Sequence, residues 1–330
     1  MRILDWLQWL RLDAEVHDYL GRENADPRAL ARQALAVASA ERTTRKLCRL
    51  RTDRLLLHRE ASPFSRGRLE RQLLSAADFG VYDFDDALQW DFGDTWIRRI
   101  VPKPTKCIAA VLAADRVVAG NDILADWASG FNRDVVMIPS CVDPAAYIRK
   151  HSYILSDPPV LGWVGSPSTE RYLRLVADPL LELHRRTGAR LRIVSAGAAS
   201  LGSLDLMVER IPWTKAAVGR LLVDMDVAIA PLDNGPYERG KCAYKILQYG
   251  ASGVPTAGSP VGANQLALDR LGGTAITRAD DWFDAILTLL AMSVSERSAI
   301  GERSRGAVQR HYSFDTWASR WRSAVGLDPN

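Results

Sequence analysis

The sequence predicts an α/β fold built as two Rossmann-like, doubly wound parallel-sheet domains facing a cleft. Three observations predict it. Short apolar runs alternate with longer amphipathic stretches along both halves, the pattern of strand–helix units. The chain has 330 residues, about twice an ordinary domain. Pro139, Pro144, Pro158 and Pro159 cluster near the middle and mark a linker, with domains expected over 1–145 and 146–330.

In chain order, residues 3–12 read as a helix and 15–19 as a strand. A long helix is expected over 27–50, a strand over 54–58, a helix over 66–76 and a strand over 79–83. A helix over 105–113, a strand over 116–119, a helix over 122–129 and a strand over 134–138 complete the first half. The second half is cleaner: strands are expected at 160–164, 190–195, 206–211, 226–230 and 254–257, the run at 226–230 reading as a buried strand. Helices are expected over 169–186, 214–223 and 242–252, from near Asn264, and over 279–292, 294–311 and 314–325.

Composition excludes several classes. Hydrophobic residues make up 47% and charged residues 25%, a globular balance. The apolar run 108–114 is stopped by Asp115 and Arg116, so no run reaches the ~20 residues of a membrane helix. Asp5, Arg11, Asp13 and Glu15 argue against a secretory leader. Cys48, Cys107, Cys141 and Cys242 have no paired spacing, which points to the cytoplasm and away from a disulfide framework or zinc knuckle. The net charge of +4 is spread evenly: residues 1–150 hold 23 Lys/Arg and 21 Asp/Glu, and the rest hold 20 and 18. That argues against nucleic acid as a partner. One run is locally basic: Arg42, Arg45, Lys46, Arg49, Arg51, Arg54 and Arg59. It reads either as a solvated helix end or as a peripheral surface for anionic lipid or a phosphorylated acceptor.

Three loops at strand ends in the second half carry anion-binding features. After the strand ending at Ala230, Gly240 is expected to open a helix that places Lys241, Lys245 and Gln248 on one face. A helix N-terminus favours an anion, and two lysines there would oppose the helix dipole unless an anion compensated them. Gly165 and Ser166 precede a second helix, expected near Ser168 or Thr169, with Arg171 in its first turn. Gly262 and Asn264 open a third. The spacing is not that of a nicotinamide dinucleotide fingerprint.

The run DVAIAPL…GKCAYKILQYGASGVP…SPVGANQ, with LGWVGSPSTERYL upstream, resembles the nucleotide-sugar domain of bacterial GT-B glycosyltransferases of the retaining family four (group 1). VVAGNDILADWA, VVMIPSCVD, LLLHRE and VYDFDDALQW resemble further segments of that family. The resemblance implies an enzyme moving a sugar from a nucleotide-diphosphate sugar to an acceptor hydroxyl, retaining, without metal or cofactor. It implies an acceptor-binding first domain and a donor-binding second domain, with the last helix crossing back to the first. Arg171, Lys245 and Lys241 would hold the donor diphosphate, Gln248 the ribose, and backbone groups at Trp213 the base.

Two departures stand out. The first glutamate of the family's Glu-x7-Glu pattern would fall at Gly240 and is missing. Related chains start with a strand and a glycine-rich turn, whereas Met1 here opens almost directly on a helix. The missing glutamate leaves open a catalytically degenerate nucleotide-sugar-binding protein. A nucleotide-sugar epimerase is a further alternative, with less support in the Lys245 helix. On the acceptor side, Asp85 and Asp86 read as a helix cap plus a carboxylate that orients or deprotonates the acceptor hydroxyl, with His58 a second candidate. Trp90 and Trp96 are either core or a stacking surface for an acceptor ring.

Overall fold

The computed structural model describes residues 2–20, 27–93 and 99–327. Trp96 lies outside the described residues. The chain divides into two compact units, one of Met1–Ser140, Arg239–Cys242 and Trp317–Asn330, the other of Cys141–Glu238 and Ala243–Thr316.

Among the described residues the first unit holds four parallel strands, β1 (Thr52–His58), β2 (Ala77–Phe84), β3 (Arg116–Ala119) and β4 (Val135–Met137), in the spatial order β1-β2-β3-β4. The helices Arg68–Ala76 and Lys103–Ala113 connect them and bury Leu73, Leu74, Cys107, Ala110 and Val111. Trp6, on the helix Arg2–Leu10, is 1% exposed and stacks on Trp321 with centroids 5.1 Å apart. The buried carboxylate of Glu70 accepts from the Ala61 N–H and the Ser65 hydroxyl and so pins the loop after β1. Residues 15–19, expected as a strand, are irregular and largely exposed.

The second unit holds six parallel strands: β5 (Val160–Val164), β6 (Arg190–Ser195), β7 (Val208–Pro212), β8 (Val227–Ala230), β9 (Thr256–Gly258) and β10 (Thr274–Ala275). Their order is β10-β9-β8-β5-β6-β7. The chain winds outward one way from β5 to β7, then returns to the centre at β8 and winds out the other way. Alternate residues of each strand feed opposite cores. Leu161, Trp163, Leu191, Ile193, Val227 and Ile229 pack on one face with Leu173, Leu180, Leu183 and Ile286. Val164, Val194, Ala228 and Ala230 pack on the other with Ile246, Leu247, Leu268 and Val308. Burial on both faces is why β5 and β8 read as unbroken apolar runs, whereas Arg192 interrupts β6 and Glu209 and Arg210 interrupt β7.

The reversal of strand order falls between β5 and β8. In an open parallel sheet the crevice outside the carboxyl ends at such a reversal is where ligands bind. Gly165 ends one wall of it and Pro231 the other. Among the described residues, no helix is long and apolar enough to cross a membrane.

Candidate functional site

The loops after β5, β8 and β9 are tied to one another in the second unit. The turn after β5 begins at Gly165 and Ser166, whose hydroxyl lies 3.1 Å from Ser168 Oγ and 3.3 Å from Thr169 Oγ1. The expected α-helix from Thr169 is instead a 3₁₀ segment, Pro167–Val176, and the α-helix begins only at Ala177. From that segment Tyr172 donates to Glu238 at 2.5 Å, and Arg171 donates to the same oxygen at 3.3 Å. Glu238 is 7% exposed and sits in the short helix Pro236–Arg239 that follows β8. Burial, together with the bond to Glu238, pushes the Tyr172 hydroxyl up to about 12. The bond to Tyr172 and the charge of Glu238 raise Arg171 above its ordinary value, outweighing partial burial. The guanidinium is still largely open to solvent. On the other side, the Leu232 N–H donates to Ser259 Oγ at 3.0 Å, joining the β8 loop to the β9 loop.

Lys245 lies in the first turn of the helix Tyr244–Ser252, with Nζ 5.3 Å from the centroid of Trp163. A Cβ on Gly165 would lie 2.5 Å from Trp163 Cη2 and 2.7 Å from Lys245 Cε, so glycine there lets the lysine stem and the indole close over the strand end. Gly262, at φ +55° and ψ −132°, caps the helix Ala263–Leu271 in a backbone region that essentially only glycine enters. Asn264 is buried, and its side chain ties back to the Ser259 carbonyl at 3.3 Å. Gln248 is buried and donates to the Tyr147 hydroxyl at 3.2 Å. Trp213 follows β7, donates its N–H to the Ser195 carbonyl at 3.2 Å and packs against the core.

Lys241 needs correction. Residues 240–243 are not helical, the helix starts at Tyr244, and Lys241 does not share a helix face with Lys245 and Gln248. The reason is Asn121, whose amide donates to the carbonyls of Gly240 and Lys241 at 2.9 and 3.3 Å. In a helix those carbonyls would accept from N–H groups four residues on. Lys241 Nζ lies 3.7 Å from Asp86 Oδ1, within the first unit.

That unit carries an acidic cluster at the carboxyl end of its sheet. The register sets His58 directly opposite Asp83, and His58 Nδ1 is 2.8 Å from Asp83 Oδ1. Arg59 takes a left-handed conformation at φ +60°, held by its N–H on the Asp83 carbonyl and its carbonyl on the Tyr82 hydroxyl. Such a backbone costs roughly 1–3 kcal/mol outside glycine. Here it aims the guanidinium at Asp85, at 2.7 Å, and at Asp86, at 2.8 Å. Burial would raise the Asp85 carboxyl, but Arg59, with His58 and Arg2, holds it well below the usual carboxylate range. Asp85 and Asp86 do not cap a helix: the next turn, Leu88–Trp90, has no side-chain cap. The basic run is also split. Arg42, Arg45, Lys46, Arg49, Arg51 and Arg54 are exposed, whereas Arg59 turns inward.

Sequence reasoning missed Arg2, Glu238 and Asn121, and noted Asp83 only as part of the Asp-x-Asp in YDFDD, without a role. For Asp83 the signal was available, since two neighbouring parallel strands ending in His58 and Asp83 put those side chains in register.

This architecture, two parallel-sheet α/β units with a strand-order reversal in the second, is the GT-B class of glycosyltransferase fold. Residues 158–292, within the second unit, match the family model described as "Glycosyl transferases group 1". Solved structures share the fold at low sequence identity. Anabaena Alr3699/HepE, in complex with UDP and glucose, aligns with a TM-score of 0.67 and 15% identity over 98% of this chain and 88% of that one. Sucrose-phosphate synthase of Thermosynechococcus elongatus aligns with 0.63 and 14%, over 92% and 80%. The UDP-forming α,α-trehalose-phosphate synthase of Burkholderia vietnamiensis aligns with 0.62 and 12%, over 88% and 76%. No curated protein matches the chain in sequence.

Proposed function

We propose that this protein transfers a sugar from a nucleotide-diphosphate donor to an acceptor hydroxyl, with retention and without a metal. The observation that carries the reading is the group 1 glycosyltransferase match over the domain whose strand-order reversal is lined by Gly165, Arg171 and Lys245. Negative charge grows on the leaving diphosphate as the glycosidic bond breaks. Preorganised cations and backbone amides aimed there stabilise that charge more than they stabilise the intact donor. Arg171 and Lys245 supply fixed positive charge in place of a metal. The Gly165–Ser166 turn and the Gly262–Asn264 turn supply close backbone approach, and Gln248 and Trp213 lie toward the nucleoside. The structural neighbour bound to UDP favours a uridine donor as the first to test. In the first unit, His58 and the Asp85–Asp86 pair form the acceptor side. The exposed arginines from Arg42 to Arg54 supply a face for an anionic lipid or a phosphorylated acceptor.

The test is a thermal-shift panel of uridine, guanosine, thymidine and adenosine diphosphates, followed by hydrolysis of the matching nucleotide sugar. A ligand at 100 times its Kd adds about 2.7 kcal/mol. Lys245→Ala and Arg171→Ala are expected to abolish that shift, and an unchanged shift in both overturns the site. A second reading, a binding protein without turnover, is favoured by Gly240, where the family's carboxylate is absent. Affinity without hydrolysis or transfer across the panel would establish it.

A further inference from the structure

We propose that Arg2 and Asp83 are positioning residues that fix the tautomer of His58, leaving its Nε2 as a bare acceptor for a substrate hydroxyl. The chain of contacts starts in the N-terminal helix. Arg2 Nε donates to both Asp83 oxygens at 3.0 Å, and its terminal nitrogen donates to the Ile138 carbonyl at 2.7 Å. The side chains of Arg2 and Asp83 are 4% and 2% exposed, so a guanidinium and a carboxylate face each other away from water. Burial alone would lower the pKa of Arg2, but Asp83 and Asp85 raise it above its ordinary value. A carboxylate held this way is an acceptor only. At 2.8 Å from Asp83 Oδ1, His58 Nδ1 must supply the proton, because two lone pairs at that distance repel.

When the ring is uncharged, its only lone pair is then on Nε2. That nitrogen is 3.8 Å from Asp85 Oδ1, beyond hydrogen-bond reach, and a quarter of the side chain is open to solvent. Asp85 is engaged by Arg59, and Asp86 by Arg59 with Lys241 nearby. The charged groups facing the ring are therefore Asp83 behind it and Asp85, backed by Arg59, in front. A hydroxyl donating to Nε2 can complete the site, and that the hydroxyl belongs to an acceptor or donor sugar rests on the glycosyltransferase reading.

The experiment reads the tautomer directly, from long-range ¹H–¹⁵N correlations of the imidazole in the full-length ¹⁵N-labelled protein at mildly alkaline pH. The wild type is expected to show Nδ1 bearing hydrogen and Nε2 bare; the opposite pattern overturns the proposal. In Asp83→Asn the amide oxygen faces Arg2 and its NH₂ faces Nδ1, so the tautomer is expected to switch to Nε2–H. Transfer should then fall about 10–100-fold in kcat, with the donor KM little changed. Arg2→Lys, which keeps a cation on Asp83, is expected to retain the wild-type tautomer and decides the matter should Asp83→Asn not fold. An unswitched tautomer in folded Asp83→Asn also overturns the proposal. The expected tautomer in a protein that transfers no sugar would sink the glycosyltransferase reading and leave the positioning of His58 standing.

Discussion

The side chain of Asn121 donates to the carbonyl of Gly240 at 2.9 Å, and that bond shapes the segment on which family resemblance most depends. Gly240 stands where a glutamate is expected from the family pattern. A Cβ there would overlap the Cβ of Ala87 and come within 3.1 Å of Leu124 Cδ2. The missing carboxylate is thus a packing outcome, with no space for a side chain at all. Gly240→Ala is expected to lose about 1–3 kcal/mol by overpacking, and Gly240→Glu more. Urea denaturation midpoints check this. A Gly240→Glu protein as stable as the parent, with faster transfer, would mean that the site accommodates the family residue.

Much of the centre of the second unit was legible because β5 and β8 are buried on both faces and leave a composition signal that needs no partner information. Val227–Ala230 is an apolar run whichever strands flank it. The two-residue strand Thr274–Ala275 carries no such signal. Residues 15–19 carry only Val16 and Tyr19 as strand-favouring side chains, and no strand among the described residues pairs with them; so short a pattern without a buried face is a weak constraint. The start of the Lys245 helix was misplaced for a nonlocal reason: Asn121, more than a hundred residues away in sequence, takes the carbonyls that would have extended it. The acidic cluster was half legible. Asp85 and Asp86 were found as charges, but Arg59 was read with its exposed neighbours because a left-handed φ does not show in sequence.

Gly165 is predicted to matter through Lys245 rather than through its own backbone. An added methyl must displace the Trp163 indole or the lysine stem. Gly165→Ala is therefore expected to weaken nucleoside diphosphate binding about tenfold or more, on top of a stability loss of roughly 1–3 kcal/mol. Isothermal titration on the folded variant separates the two, and full affinity would show that Lys245 does not reach the diphosphate.

Gly262 makes a different demand. Its φ and ψ are closed to any side chain, so Gly262→Ala should cost about 1–3 kcal/mol and tilt the start of the helix Ala263–Leu271. The expected signature is a lower Tm together with weaker binding of the diphosphate and little change for the nucleoside alone. Equal losses for both ligands would point to general unfolding of the loop.

The ion pair between Asp85 and Arg59 predicts a pH dependence with a definite sign. The Asp85 carboxyl is held below its ordinary value by Arg59, against the opposing effect of burial. A depressed carboxyl contributes stability that is fully present above the unfolded value of ~3.9 and is lost as pH falls through the lower folded value. Asp85→Asn should therefore be less stable than the parent at pH 7, by about 1.5–3 kcal/mol for a charge-assisted bond. The difference should narrow steadily below about pH 4, where the parent begins to bind the proton it excluded. Urea midpoints at pH 7, 5 and 3 measure it. A gap of the same size at pH 3 as at pH 7 would show that Arg59 does not hold this carboxylate in its charged form.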